Sequence, residues 1–310
     1  MKNKNFDTCV SFFVQNGAFI GRFVRLDGVL NDILKHHDYP VNVSAALSEV
    51  TALGILCSAM LKFDGLFTLQ LQGNGPVSLL VTDVTSQGKV RACAKFDDQK
   101  LKQAKTLRKT EDVTEEVPHL IGGRNMAMTI DALNGTPPYQ GVVDLKGNTL
   151  SELALRYFKN SEQIDTQLKL FIKPKGKRFE AAGIMLQKVP LKGGKDIDMN
   201  AEDLGLAWED TEAFIKSLTS DEVFNKKLSD EDILNRLFAT SGLHISAKKE
   251  FVFGCRCTRE KLQKTLASFE AKDLDEMCDD KGCLEAVCTF CGQKYVFERS
   301  ELAGGNKYLH

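Results

Sequence analysis

Apolar positions first alternate and then recur at helical spacing along the opening of this chain. Two β-rich runs, Val10-Ser-Phe-Phe-Val-Gln15 and Ala18-Phe-Ile-Gly-Arg-Phe-Val-Arg25, flank Asn16-Gly17. Both central residues of so tight a turn need positive φ, which Asn and Gly tolerate, so the pattern predicts a hairpin. Asp27 is placed to cap a short helix to about Lys35, closed by His36 and His37 near its negative dipole end. Asn42 or Ser44 opens a longer helix with Val43, Ala46, Leu47, Val50, Leu53, Cys57 and Met60 on one face. Residues 66–72, 77–83 and 89–95 then alternate around Gly73-Asn-Gly-Pro76 and Gly88, which predicts an antiparallel meander. Gly73 and Gly75 suggest a phosphate loop only superficially, because Ser78 stands where a third glycine belongs and no Gly-Lys-Ser/Thr follows.

A charged stretch, 97–120, predicts helix or loop. Strands are expected at 125–130 and 139–145, then a helix capped by Thr149 and running to about Asn160. A second hairpin, 167–173 with 178–186, turns at Pro174-Lys-Gly176. Strands and helices in blocks, joined by hairpins rather than β-α-β units, predict an α+β domain over residues 1–187. Beyond Pro190 the segment 191–198 is glycine-rich and polar, and reads as a linker. Leu204, Trp208, Ile215 and Leu218 then recur on an acidic helical background, and Thr219…Glu222 and Ser229…Asp232 are capping signals for two more short helices. Helices this short depend on packing against something else. Residues 188–250 are therefore expected to be a helical linker.

Composition narrows the class. With 310 residues, 43% hydrophobic and 27% charged, the chain can bury a large core. A net charge of −1 supplies no global pull towards nucleic acid or an anionic membrane. The longest apolar run, 52–61, is too short to span a bilayer, and the opening has no signal-peptide core. A cytoplasmic location is expected. No Ser/His/Asp or Cys/His arrangement appears, His119 is isolated, and Asp64 and Asp144 sit beside turns, so no enzyme is expected.

Nine cysteines in an unexported chain point to metal and redox chemistry. Cys9, Cys57 and Cys93 lie on core stripes or strands and read as small hydrophobes. The tail is different: Cys255-Arg-Cys257 and Cys288-Thr-Phe-Cys291-Gly292 are two close pairs well apart in sequence. Such pairs can converge into a tetrahedral Zn2+ cage, whose Zn–S bonds of about 2.3 Å put sulfurs roughly 3.8 Å apart. A Cys-x-x-Cys turn achieves that, with Gly292 folding the chain back. Side chains two apart on a straight strand lie about 7 Å apart, so Cys255 and Cys257 require a bend, for which Gly254 offers freedom. Helices at 258–267 and 271–277 and a strand at 294–297 complete a small unit, 251–310, that depends on its metal.

The chain resembles the thirty-three-kilodalton heat-shock protein family of redox-regulated holdase chaperones. The resemblance rests on His37-Asp-Tyr-Pro40, Leu61-Lys-Phe-Asp-Gly65, Leu71-Gln-Gly-Asn-Gly-Pro76, Tyr139-Gln-Gly141, Tyr157-Phe158…Ser161-Glu-Gln163 and the four-cysteine pattern. It implies a core chaperone domain at 1–187, a linker at 188–250 and a zinc redox switch at 251–310. It also implies that Cys255, Cys257, Cys288 and Cys291 hold zinc when reduced and pair as neighbours, Cys255 with Cys257 and Cys288 with Cys291, when oxidised. Zinc loss then unfolds switch and linker, and the protein holds unfolding clients as a homodimer. Cys278 and Cys283 depart from the pattern, and either can trap a neighbouring sulfenic acid. The competing readings are a constitutive zinc-ribbon binding module and a Cys-x-x-Cys oxidoreductase. The first wants a basic tail, yet Asp273, Asp275, Glu276, Asp279 and Asp280 lie in it; the second wants a helix after Cys288, where Tyr295-Val-Phe297 indicates a strand.

Overall fold

The structure, a computed structural model, describes residues 6–103, 116–189 and 200–302. The linker segment 191–198 lies outside the described residues, as does most of the charged stretch, 104–115. The first hairpin forms as β1 (Thr8–Val14) and β2 (Phe19–Leu26). Gln15, Asn16 and Gly17 all take positive φ, at 52°, 54° and 92°, so the left-handed turn is one residue longer than expected. Helix α1 (Gly28–Leu34) follows, but its cap is a correction to the sequence expectation. The Asp27 side chain makes no cap bond. Instead the Asp7 carboxylate accepts from the amides of Asp27, Gly28 and Val29 at 2.9–3.0 Å.

Helix α2 (Val41–Met60) starts before the expected Asn42, with Pro40 as its cap residue. Every residue from Val43 to Ser58 is buried, so the single-faced stripe is a second correction: the helix is buried all round. Its length and mean hydropathy of 1.6 would suit a bilayer, but 89% of that stretch is covered by protein. The cover is two sheets. Gly54 lets α2 approach one of them closely, since a Cβ there would lie 3.0 Å from Thr82.

The meander forms as β3 (Leu66–Gly73), β4 (Val77–Thr85) and β5 (Lys89–Phe96). After α3 (Asp98–Gln103) and α4 (Glu116–Ile121) come β6 (Gly123–Asp131) and β7 (Tyr139–Asp144). Helix α5 (Leu150–Tyr157) is capped by Thr149 as expected, and its continuation, Phe158–Glu162, widens into a π turn. Tyr157 donates to Glu162 at 2.8 Å, and a Cβ on Gly141 would come within 2.4 Å of the Tyr157 hydroxyl oxygen. Two of the quoted family motifs are thus one packed contact. Strands β8 (Thr166–Lys175) and β9 (Arg178–Lys188) form the second hairpin.

The second half of this unit adds α6 (Ala201–Ser217), α7 (Ser220–Val223) and α8 (Asp230–Phe238), with both capping boxes present at Thr219/Glu222 and Ser229/Asp232. The strand expected to lead into Cys255 is present as β11 (Val252–Phe253), while β10 (His244–Glu250), inside the expected helical linker, was not expected. The sheets run β10-β1-β2-β9-β8 and β11-β5-β4-β3-β6-β7, so the chain leaves one sheet and joins the other across Phe251. The central strands of the five-stranded sheet are buried on both faces. Cys9, Val24, Leu26 and Leu170 cluster with α2, while Phe12, Phe19, Phe23, Phe171, Ile184 and Leu186 cluster with Ile215, Leu218, Ile233, Leu234 and Phe238. This unit is Met1–Phe253 and the second is Gly254–His310.

The second unit contains α9 (Arg259–Leu266), α10 (Ala271–Met277), the two-stranded sheet β12 (Cys283–Val287) and β13 (Lys294–Glu298), and α11 (Arg299–Leu302). Thr258 caps α9, accepting from the Lys261 amide at 3.3 Å.

Asp7→Ala removes three acceptor bonds from the start of α1 at once, and is expected to cost about 1–2 kcal/mol in urea unfolding of the reduced protein. Asp7→Asn keeps the oxygen that serves Asp27 and Val29, tolerates the left-handed backbone, and is expected to lose less than half as much.

Candidate metal centre

Cys255 and Cys257 lie in the irregular segment after β11, Cys288 at the end of β12, and Cys291 in the turn to β13. The fold brings all four sulfurs within 4.8 Å of one another. Cys255 Sγ is 3.4 Å from Cys257 Sγ and 3.6 Å from Cys288 Sγ, and Cys257 Sγ is 3.5 Å from Cys291 Sγ. These spacings are close to the roughly 3.8 Å edge of a Zn–S tetrahedron and far above the about 2.05 Å of a disulfide. The donor set therefore fits a metal ion.

Local chemistry explains the convergence. The Cys255 and Cys257 sulfurs lie well inside the about 7 Å of a straight strand, and Gly254 is not among the residues with positive φ. At the other pair the Cys288 carbonyl accepts from the amides of Cys291 at 3.3 Å and Gly292 at 2.8 Å, closing the knuckle, and Gly292 takes φ 67°. The Cys288 amide donates to Gln293 at 2.9 Å, which starts the β12–β13 ladder. Tyr295, on β13, points its hydroxyl at Cys257 Sγ, 3.4 Å away. That bond is the first reason its own ionisation is pushed up to about 12. Sequence reading passed over Tyr295, although it lies four residues past Cys291 on the strand leading away from the knuckle.

The four thiols are electrostatically unequal. Burial works against ionising Cys255, but the Cys257 amide and the surrounding thiols donate to its sulfur and bring it down to about 7. Burial pushes Cys288 and Cys291 up. Elsewhere, burial pushes Cys9 up to about 12 and raises Cys57 further still, which leaves them inert as expected for core residues. Cys278 ends α10 and packs on the small core, and Cys283 opens β12. Neither joins the four-sulfur group.

Little else holds this unit together. Among the described residues its buried cluster is Leu266, Leu274, Leu284, Phe297 and Leu302. Arg259 adds a polar staple: its guanidinium lies 4.4 Å from the Phe297 ring centre and bonds Val296 O at 2.7 Å and Glu301 at 2.8 Å.

Two sheets packed around a central helix, with a separate four-cysteine unit, make an architecture already seen in solved form. A crystal structure of the 33 kDa chaperonin from Thermotoga maritima matches with a TM-score of 0.78 at 23% identity, over 96% of each chain. The sequence pattern described as Hsp33 protein matches residues 7–298. The 33 kDa chaperonin of Caulobacter vibrioides strain NA1000 is 30% identical, across 94% of this chain and 95% of that protein. That of Neisseria gonorrhoeae strain FA 1090 is also 30% identical, across 96% and 90%. The chain belongs to the Hsp33 family of chaperones. These relatives are named as chaperonins rather than as enzymes.

One metal ion per chain is expected. Serine at Cys255, Cys257, Cys288 or Cys291 should weaken metal binding by more than the about 10–100-fold that follows loss of an orienting partner alone. Tyr295→Phe should fall within that range, and Cys278→Ser and Cys283→Ser should leave metal content unchanged. Elemental analysis and chelator competition on the reduced proteins make the comparison.

Proposed function

We propose that this protein is a redox-regulated holdase: inactive when reduced and zinc-bound, and active on unfolding proteins once its cysteines are oxidised. The observation that carries the reading is the pairing of a four-sulfur cluster with a unit whose own buried core is five side chains among the described residues. Cys255, Cys257, Cys288 and Cys291 are the residues proposed to hold zinc, since soft thiolates and tetrahedral spacing suit it. Bound zinc would keep the sulfurs ionised and staple the unit, a contribution of about 10 kcal/mol that so small a core cannot replace.

The oxidant is a two-electron acceptor such as a peroxide. Two thiolates give up two electrons and form one S–S bond, while the peroxide takes those electrons and two protons from solvent and leaves as two waters; two such events consume the cluster. The pairing Cys255–Cys257 and Cys288–Cys291 is inferred from the family resemblance. Distances alone do not select it, because Cys257 Sγ lies as near to Cys291 as to Cys255. Loss of the thiolates removes the staple, and the proposed division into a core chaperone domain (1–187), a releasable linker (188–250) and a redox switch (251–310) gives the order of opening. The last unit goes first, the linker helices follow, and the core domain stays folded. Apolar surface on Leu204, Trp208, Ile215, Leu218, Ile233 and Leu237 then becomes available to unfolded clients and to a second copy. The setting is the cytoplasm, with no nucleic acid or membrane as partner.

The decisive assay is suppression of aggregation of a heat-unfolded protein by the reduced and the peroxide-treated forms, with hydrogen exchange on each. Suppression only after oxidation, together with loss of protection in α6–α8, is expected; equal suppression by both forms favours a static zinc module. Trp208, the only tryptophan, packs edge-on to Phe19 at 5.0 Å, so its emission should shift to the red on oxidation. Peptide mapping that finds Cys278 or Cys283 as the dominant disulfide partner would refute the pairing.

A further inference from the structure

The most deeply buried ion pair in the first unit lies where α7 and α8 meet the five-stranded sheet. Arg25, on β2, is 0% exposed and Asp230, the first residue of α8, is 1% exposed. Arg25 Nε donates to Asp230 Oδ1 at 2.6 Å. The other oxygen, Oδ2, accepts from Lys248 Nζ at 2.8 Å and Thr8 Oγ1 at 3.2 Å. The remaining guanidinium nitrogens, Nη1 and Nη2, both reach the Leu228 carbonyl at 3.1 Å, and Nη1 also reaches Val223 O at 3.4 Å. The plane of charge sits 4.9 Å from the Phe6 ring centre. Thr8 stands directly opposite Arg25 in the ladder and Lys248 opposite Val10, so one face of β10, β1 and β2 presents all three groups. Arg25 thus holds both short helices, through the Asp230 carboxylate and the carbonyls of Val223 and Leu228.

We propose that the Arg25–Asp230 pair, completed by Lys248 and Thr8, is the latch that keeps α7 and α8 on the sheet and makes their release all-or-none. The proposal rests on the reading that this segment is what opens. An apolar contact such as Phe238 on Phe12, at 5.5 Å between ring centres, weakens by degrees as the helices lift. A buried ion pair does not. A small displacement leaves a guanidinium and a carboxylate out of water without their partners, a state more costly than either the closed or the hydrated open one. Partial opening is therefore disfavoured, and the segment is either docked or free.

The latch is also wired to the metal unit through the chain itself. Lys248 lies on β10, an edge strand whose one neighbour in its sheet is β1. Phe251 and the two-residue β11 then lead to Gly254 and Cys255. Fraying that begins at Cys255 and runs back through β11 and β10 takes Lys248 from Asp230, which removes one of the two cations facing that carboxylate.

The test uses the full chain, reduced and zinc-loaded, with Asp230→Asn and the double variant Arg25→Met/Asp230→Leu. In Asp230→Asn the amides of α7 and α8 are expected to exchange about 100-fold faster, while α2 keeps its protection and zinc content is unchanged. The double variant, with apolar groups in place of both charges, is expected to regain most of that protection. Retained protection of α7 and α8 in Asp230→Asn, a loss that spreads into α2, or a double variant as open as the single one, each overturns the latch. If the helices open in Asp230→Asn and the reduced protein still fails to suppress aggregation, the latch stands and the proposed route to client holding falls.

Discussion

Four sulfur atoms within 4.8 Å of one another cannot all be thiolates unless something positive sits among them. Arg259 is engaged with Val296, Glu301 and the Phe297 ring, and the hydroxyl of Tyr295 offers a single donor to Cys257. Without a cation among them some of the sulfurs keep their protons; with one, as proposed, all four ionise. Apart from that cluster, residues 254–302 rest on a small core of Leu266, Leu274, Leu284, Phe297 and Leu302.

The five-stranded sheet has covers of two different kinds. On one side α2 is gripped by both sheets and cannot leave without dismantling the unit, and Gly54 against Thr82 shows how closely it is seated. On the other side three helices, the shortest of four residues, lie on Phe12, Phe19, Phe23 and Phe171. Their attachment combines ordinary apolar contact with one buried charge pair that tolerates little displacement. In the proposed function, the part that persists and the part that comes away lie on opposite faces of the same strands.

What was legible in the sequence was local. The Asn16-Gly17 turn, the Thr149 cap, both capping boxes and the Cys288–Gly292 knuckle are each determined within a few consecutive residues, and all are present. What was not legible was settled at a distance. Asp7 caps a helix 20 or more residues further on, a role that Asp27, in the usual position, does not fill. Helix α2 carries enough Ala, Ser and Thr to resemble a one-faced stripe, yet it is buried all round because a second sheet closes over it. Strand β10 reads as polar since it is mostly exposed, and Arg25 among apolar neighbours gives no sign that its counter-ion is Asp230. The four clustered cysteines stood out because cysteine pairs are rare enough to be informative by spacing alone.

The two capping boxes have a kinetic consequence. Thr219 with Glu222, and Ser229 with Asp232, each satisfy the first amides of a helix using nothing but their own neighbours. Detached from the sheet, helices this short spend most of their time unwound, yet each winding attempt takes on the order of a microsecond or less. The instructions for re-forming them travel with the segment and are not lost when it leaves. In the proposed cycle, recovery of the resting state is paced by cysteine reduction, metal re-entry and re-seating on the sheet, all far slower steps than helix winding.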